Sequence, residues 1–370
     1  MASMTDDQLT VGAAGEDAVL AAILEVVGPH SAEATSLVRI GAGEDDAAVL
    51  SPVSGTRMVL TTDTMSEDQD FRRHWWLGPE ALGAAAFEPR QEWPMDVGTK
   101  AAAQNLSDVN AMGAVPEALL VSLTVPPQIP VAWVQDFYRG VLRACRAPGA
   151  EHCVIAGGDL SAGESISVTI TAVGALPEGS SGLLRSAARP GDTVAVCGRL
   201  GYAAAGLALL EQNGETSVSG AELRLWEGYA ETFRKCLHAQ RRPHPPLNAG
   251  RAAVAAGAVA GMDISDGLLR DAQRMARYSG VRIQFDDAAL AGEAGYLEPV
   301  AELLGLAASS CRDWVMTGGE DYSLLATFPA GTVLPDGFWS IGTVEPVEPG
   351  AEPGVVVPEG TEAKGWDSLA

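Results

Sequence analysis

Apolar side chains recur at helical spacing through residues 14–27 ("AGEDAVLAAILEVV"), which predicts an opening helix. The period then changes. Five runs rich in Val, Ile, Leu and Thr read as strands: "AAVLSP", "RMVLTTDTM", "ALLVSLTVP", "HCVIAGGDL" and "SISVTITAVGAL". Helical patterns at 97–112 and 131–146 lie between some of them. Further on, "TVAVCGRLG", "VRIQFDD" and "YSLLATF" read as strands and "YAAAGLALLEQ" as a helix. Between the two halves, "LPEGSSGLLRSAARPGDTV" has the Gly, Ser and Pro of a boundary. It places a junction near 178–190 and predicts two domains, 1–180 and 181–370. "EQNGETSVSG" and the Pro- and Glu-rich "EPVEPGAEPGVVVPEG" are expected to be loops. The pattern as a whole is α+β, with a weak echo of "NLSD" and "GGD" in the later "DISD" and "GGED".

Composition narrows this picture. A chain of 370 residues is too long for one typical core, and 47% hydrophobic residues supply material for two. No run of about 18 apolar, charge-free residues occurs, so no membrane span is expected. The start, "MASMTDDQLTVGAAGEDAVL", has no basic n-region and no clean apolar core, so it does not read as a secretory signal. Five cysteines without close pairing read as reduced thiols of a cytoplasmic protein rather than a disulfide framework or a zinc site. A formal charge of −24 argues against non-specific nucleic-acid binding, which needs a basic surplus.

The placement of the acids is more informative than their number. Six turns put carboxylates beside Gly, Ser or Thr: "GEDDAAV" (Asp45, Asp46), "TTD" (Asp63), "NLSD" (Asp108), "GGD" (Asp159), "DISD" (Asp263, Asp266) and "GGED" (Glu320, Asp321). Any one of them could be a helix cap, and Asp266 before "GLLRDAQRMA" suits that role. Together they suggest more, because "RMVLTTDTM" and "HCVIAGGDL" run an apolar strand straight into an aspartate. Converging carboxylates repel unless a cation is present. Carboxylate and hydroxyl oxygens are the ligands Mg2+ prefers, with phosphate oxygens completing its shell. Asp263 and Asp266, three apart, could face one way in a helical turn and hold such an ion, with Ser265 free to reach nucleotide or metal.

Common nucleotide signatures are missing: no G-x-x-x-x-G-K-[ST] loop, no G-x-G-x-x-G opening a βαβ unit and no kinase "HRD" or "DFG". Any ATP use must therefore rest on metals. No G-x-S-x-G elbow is present, and the five histidines (30, 74, 152, 238, 244) lack metal-ligand spacing.

Taken in order, "GEDDAAVL", "TTDTM", "DVGTKAAAQNLSDVNAMGA", "IAGGDL", "LLRSAARPGDTVAVCGRLG", "RRPHPP", "MDISDGLLRDA", "TGGEDYSLL" and the closing "GWDSL" resemble the thiamine-monophosphate kinase family, in the superfamily of aminoimidazole ribonucleotide synthetase. The resemblance spans residues 12–370. It implies two α/β domains with the active site in the cleft between them, the N-terminal sheet pairing with a partner's in a homodimer. It implies ATP as co-substrate, Mg2+ as cofactor and thiamine monophosphate as acceptor. By motif position it makes Asp45, Thr61, Thr62, Asp63, Asp108, Asp159, Asp263 and Asp266 metal ligands, with Asp45, Asp159 and Asp263 central to catalysis. Tyr138, Gly158, Asp159, Arg185 and Ser265 would contact ATP, and Asp70, Glu320 and Trp366 the thiamine phosphate.

Three departures stand out. Glu44 is inserted ahead of Asp45, and Asp70 stands where the family often has a substrate-contacting histidine. Residues 77–94, holding Pro79, Pro89 and Pro94, occupy a position that is usually a short link and are expected to be a surface excursion. Two other readings share the acidic turns: a different ATP-using enzyme of the superfamily, and a non-catalytic nucleotide-binding relative.

Overall fold

In this computed structural model the described residues are 9–34, 38–40, 49–50, 54–77, 92–211 and 227–356. They fall into two compact units. The first runs to Ser180 without Asn110–Gly113, and the second takes up Asn110–Gly113 and continues from Ser181.

In the first unit, α1 (Val11–Ala14) and α2 (Glu16–Ala34) precede a small antiparallel pair, β1 (Val38–Ile40) and β2 (Val49–Leu50). Then come β3 (Met58–Ser66), α3 (His74–Leu77), α4 (Trp93–Ala111), β4 (Val115–Val125), α5 (Val131–Cys145), β5 (Val154–Ala162) and β6 (Ser167–Ala175). The sheet order is β3-β6-β4-β5, so β3 and β5 are its two edges. All pairs are antiparallel except β4 with β5. Alternation decides the faces. Met65, Val121, Leu123, Val168, Ile170 and Ala172 are in register on the buried face. Leu60, Thr62 and Thr64 of β3 point the other way and are exposed.

Helix α5 forms because Trp133, Val134, Phe137, Tyr138, Val141 and Leu142 make one apolar face, and all six are buried. Trp133 stacks on Phe137 at 5.8 Å. Helix α4 is locked beside it by polar bonds: Thr99 Oγ1 donates to Gly140 O (3.0 Å), and buried Asp96 accepts from Arg143 (3.0 Å) and Trp76 Nε1 (2.9 Å).

The second unit contains β7 (Thr193–Cys197), α6 (Tyr202–Leu210), α7 (Ala230–Arg241), α8 (Ala249–Ala255), β8 (Ala260–Ile264) and α9 (Leu268–Ser279). It continues with β9 (Arg282–Phe285), α10 (Asp287–Gly295), α11 (Glu298–Leu303), α12 (Ser309–Thr317), β10 (Ser323–Phe328), β11 (Phe338–Glu345) and β12 (Gly354–Val356). The sheet order is β12-β9-β11-β7-β10-β8. Helices α7, α8 and α10 to α12 and strand β11 form where the sequence pattern predicted no element, and two further features depart from the expectation. The stretch "AGMDI", not predicted as a strand, is the edge strand β8 with all five residues buried. Part of the segment expected to be a loop after 345 returns as β12, parallel to β9, with Val355 N–H donating to Gln273 Oε1 at 2.7 Å. Its β-branched valines extend the sheet where Pro and Glu around them would not. Among the described residues no helix is long and apolar enough to cross a membrane, and all five cysteines are free and buried.

Candidate active site

On β3, Thr61 and Asp63 share the face that meets α4, one turn of which presents Asn105 and Asp108. Thr61 Oγ1 donates to Asp108 Oδ2 at 2.6 Å, and Asp63 N–H donates to Asn105 Oδ1 at 3.1 Å. Asn105 is itself fixed by its bond to Ala101 O at 3.0 Å. Asp63 and Asp108 are thus neighbouring carboxyls. Burial first, then the charge of Asp108 and a hydrogen bond to it, raise the Asp63 pKa from 3.8 to about 6. When ionised the two carboxylates repel, an arrangement that a divalent cation relieves. The donors present, two carboxylates and a hydroxyl, are the hard oxygens that suit Mg2+.

The other expected ligands of this unit are placed differently. Thr62 lies on the opposite face of β3, where its hydroxyl donates to Ile170 O (3.1 Å) and accepts from Thr171 (3.1 Å). Asp159 sits on β5, at the other edge of the sheet, exposed and accepting from Ser161 Oγ at 2.9 Å. The preceding Gly158 is a steric necessity, since a Cβ there would stand 1.9 Å from Val121 O. Tyr138 is buried, and burial together with the nearby Asp159 charge pushes its hydroxyl pKa up, so it stays protonated. The Asp70 carboxylate accepts from Ser66 N–H at 2.7 Å and closes its own turn. Lys100, fully buried, donates to Asp70 O at 2.7 Å. Asp45, Trp366 and most of the 77–94 segment lie outside the described residues.

In the second unit the acidic turns are brought side by side. Asp263, next to last in β8, is buried and in register with Leu324 of β10. Glu320 N–H donates to Ser265 O at 2.8 Å, joining the "DISD" loop to the "GGED" turn. Asp263 and Asp266 do not share a helical turn, contrary to the sequence expectation. A strand end and a loop separate them, and α9 begins only at Leu268. Asp266 is not a cap either, since Gly267 holds the N-cap position without a side-chain bond. That residue must be glycine: its φ is 108°, and a Cβ would approach Thr317 at 2.8 Å. Asp266 pairs instead with Arg274 at 2.6 Å, while its N–H donates to Asp271 Oδ2 at 2.9 Å. The Arg185 side chain is exposed.

Glu320 has φ 67° and accepts from Gln240 Nε2 at 2.6 Å. It opens onto a cleft of about 360 Å³ lined by Ala204, Leu207, Trp314, Asp313 and Gln240. Its neighbour Asp321 has a different task. The Asp321 carboxylate accepts from Gly201 N–H (2.5 Å) and Ala203 N–H (2.9 Å), capping α6 from a distant turn. Asn105, Gln240, Asp271 and Arg274 are positioning groups that motif reading did not single out. Of these, Asn105, three residues from Asp108, and Asp271, three residues from Arg274, had a signal in their helical spacing. Among the described residues no three His, Cys, Asp or Glu side chains converge as a metal cluster.

Comparison with known proteins accords with these turns. Residues 44–176 match the model of the AIR synthase related protein N-terminal domain. The chain is 34% identical to thiamine-monophosphate kinase of Corynebacterium glutamicum over 91% of its length and 88% of that protein. Among solved structures it is similar to thiamine-monophosphate kinase from Stenotrophomonas maltophilia K279a, with TM-score 0.68, 28% identity and coverage of 90% of this chain and 95% of that one. It is also similar to AaThiL complexed with AMPPCP and TMP, with TM-score 0.63, 28% identity and coverage of 99% of both chains. The chain belongs to the thiamine-monophosphate kinase family.

Proposed function

We propose that the protein transfers the γ-phosphate of ATP to thiamine monophosphate, giving thiamine diphosphate and ADP. The observation that carries this reading is the Asp63–Asp108 carboxyl pair with the Thr61 hydroxyl, in a member of this family that has no P-loop. Thr61, Asp63 and Asp108, with Asp45, Asp159, Asp263 and Asp266, would hold Mg2+, not all on one ion. Bound Mg2+ supplies neutralisation of phosphate charge. Asp266 would share its carboxylate with Arg274. Tyr138, Arg185 and Ser265 are the proposed ATP contacts, and Tyr138 stays protonated, fit to donate to a phosphate oxygen.

The cleft at Glu320 suits the acceptor. Thiamine carries a cationic ring, and the cleft offers the Trp314 face with the Glu320 and Asp313 carboxylates. The terminal phosphate of thiamine monophosphate has a second pKa of about 6, so it is already a dianion near neutral pH. It attacks in line without a protein general base.

A homodimer completes the account. Asp63 and Asp159 lie on opposite edges of the first unit's sheet, three strand spacings or roughly 14 Å apart. Pairing of β3 of one subunit with β5 of its partner would bring them onto one site. The open sheet face, where Leu60 is 67% and Leu120 40% exposed, gives such a dimer apolar surface to bury.

Product analysis tests the reading. With ATP and thiamine monophosphate, ADP and thiamine diphosphate should appear in equal amounts, and free thiamine should be a poor acceptor because its hydroxyl needs a base. ADP release indifferent to thiamine monophosphate would point to another reaction.

A further inference from the structure

The motif "RRPHPP" plays no part in the site described above, yet it walls a separate cavity of about 590 Å³ in the second unit. One face of α7 and its C-terminal extension presents Lys235, His238 and Arg242 at spacings of three and four. His244 follows, and Arg199 closes the opposite side. In a chain of net charge −24, three permanent cations line this cavity; Lys235 pairs with Glu231 at 3.6 Å outside the lining, and the one lining carboxylate is Asp321. That carboxylate is turned to the α6 N–H groups it caps.

The cations are held in place. Arg199 lies 4.5 Å from the Tyr296 ring and 5.2 Å from the Tyr202 ring, and pairs with Glu293 at 3.3 Å. Arg242 is buried and faces His238 Nε2 at 2.7 Å. A guanidinium has only donors, so that ring nitrogen must accept. Tyr202, Pro243 and Pro246 add flat apolar walls, giving room for a ring next to the cations.

We infer that this cavity binds a phosphate-bearing small molecule without a divalent metal. The chemistry is the reverse of the carboxylate site, where phosphate would enter only with its cation. It therefore stands whether or not the proposed phosphoryl transfer does.

The test uses the full chain in excess EDTA, where the acidic turns repel anions. Inorganic pyrophosphate is titrated by calorimetry, with ADP and thiamine diphosphate as parallel arms. Pyrophosphate should bind saturably at one site per chain. Lys235→Glu, at an exposed side chain, and Arg242→Gln should each weaken binding on the order of tenfold or more. Asp263→Asn should leave it unchanged. A thermal melt checks that Lys235→Glu is folded. Tighter binding of ADP or of thiamine diphosphate than of pyrophosphate would identify the ring that the Tyr202 wall accepts. Equal binding of all three would assign recognition to the phosphates alone. Absence of saturable binding in wild type, or binding that folded Lys235→Glu retains in full, would overturn the inference.

Discussion

Replacing Asp108 with Asn isolates the electrostatic cost of the carboxyl pair. In the wild type the Asp63 pKa is raised from 3.8 to about 6, with burial the largest cause and Asp108 next. The whole rise corresponds to roughly 3 kcal/mol. Asp63 is only half-buried and solvent screens it, so the part that Asp108 contributes is about 1 kcal/mol. The Asn oxygen can still accept from Thr61, whose bond to Asp108 spans 2.6 Å, so that hydrogen bond is kept. A raised carboxyl pKa means stability that is present at low pH and lost as pH climbs through about 6. At pH 8 in EDTA, Asp108→Asn should therefore melt about 3 °C above wild type. At pH 4.5, where Asp63 is protonated, the two should melt together. Adding Mg2+ and ATP at pH 8 should raise the wild-type melting temperature and move the variant much less. A variant less stable than wild type at pH 8 would refute the reasoning, because the Asp108 charge would then be stabilising the fold rather than straining it.

Asp263→Asn should cut phosphoryl transfer on the order of 100-fold or more with an unchanged melt, and near-normal turnover would remove Asp263 from the catalytic set. Asp63→Asn and Asp159→Asn should each be inactive alone. Co-expressed in equal amounts they should recover about a quarter of wild-type activity, because half of the subunit pairs are mixed and each mixed dimer has one intact site. Lack of recovery would argue against a site shared between subunits. Desolvation raises the Asp321 pKa from 3.8 to about 7 in spite of the N–H bonds that lower it, so wild type should lose stability as pH rises through that range. Asp321→Asn should flatten that loss between pH 5 and 8, and an identical slope would show that Asp321 is not its source.

Strand and helix periods located most elements of the first unit but in the second only β7, α6, α9, β9 and β10; the ones found, such as α5 and α9, place an apolar side chain on one face at nearly every turn. Strand β8 escaped because "AGMDI" is short and holds Gly and Asp, and a buried edge strand need not alternate. The acidic turns were visible as aspartates ending apolar runs. Their partners were not visible. Asp266 is tied to Arg274, eight residues on, and Asp321 caps a helix that begins some 120 residues earlier, relations that only the folded chain creates. Thr62 is a different case. Strand alternation alone puts it on the face opposite Thr61 and Asp63, so that separation was present in the sequence.

The central claim is that carboxylates from several turns gather metal ions around ATP for transfer to thiamine monophosphate. It is tested most directly by the initial rate of thiamine diphosphate formation against total Mg2+ at a fixed ATP concentration. The account predicts no product in EDTA, and a rate that keeps rising after Mg2+ exceeds ATP, since the protein's own carboxylates require ions beyond the one that ATP brings. Full-rate product formation in EDTA would contradict it.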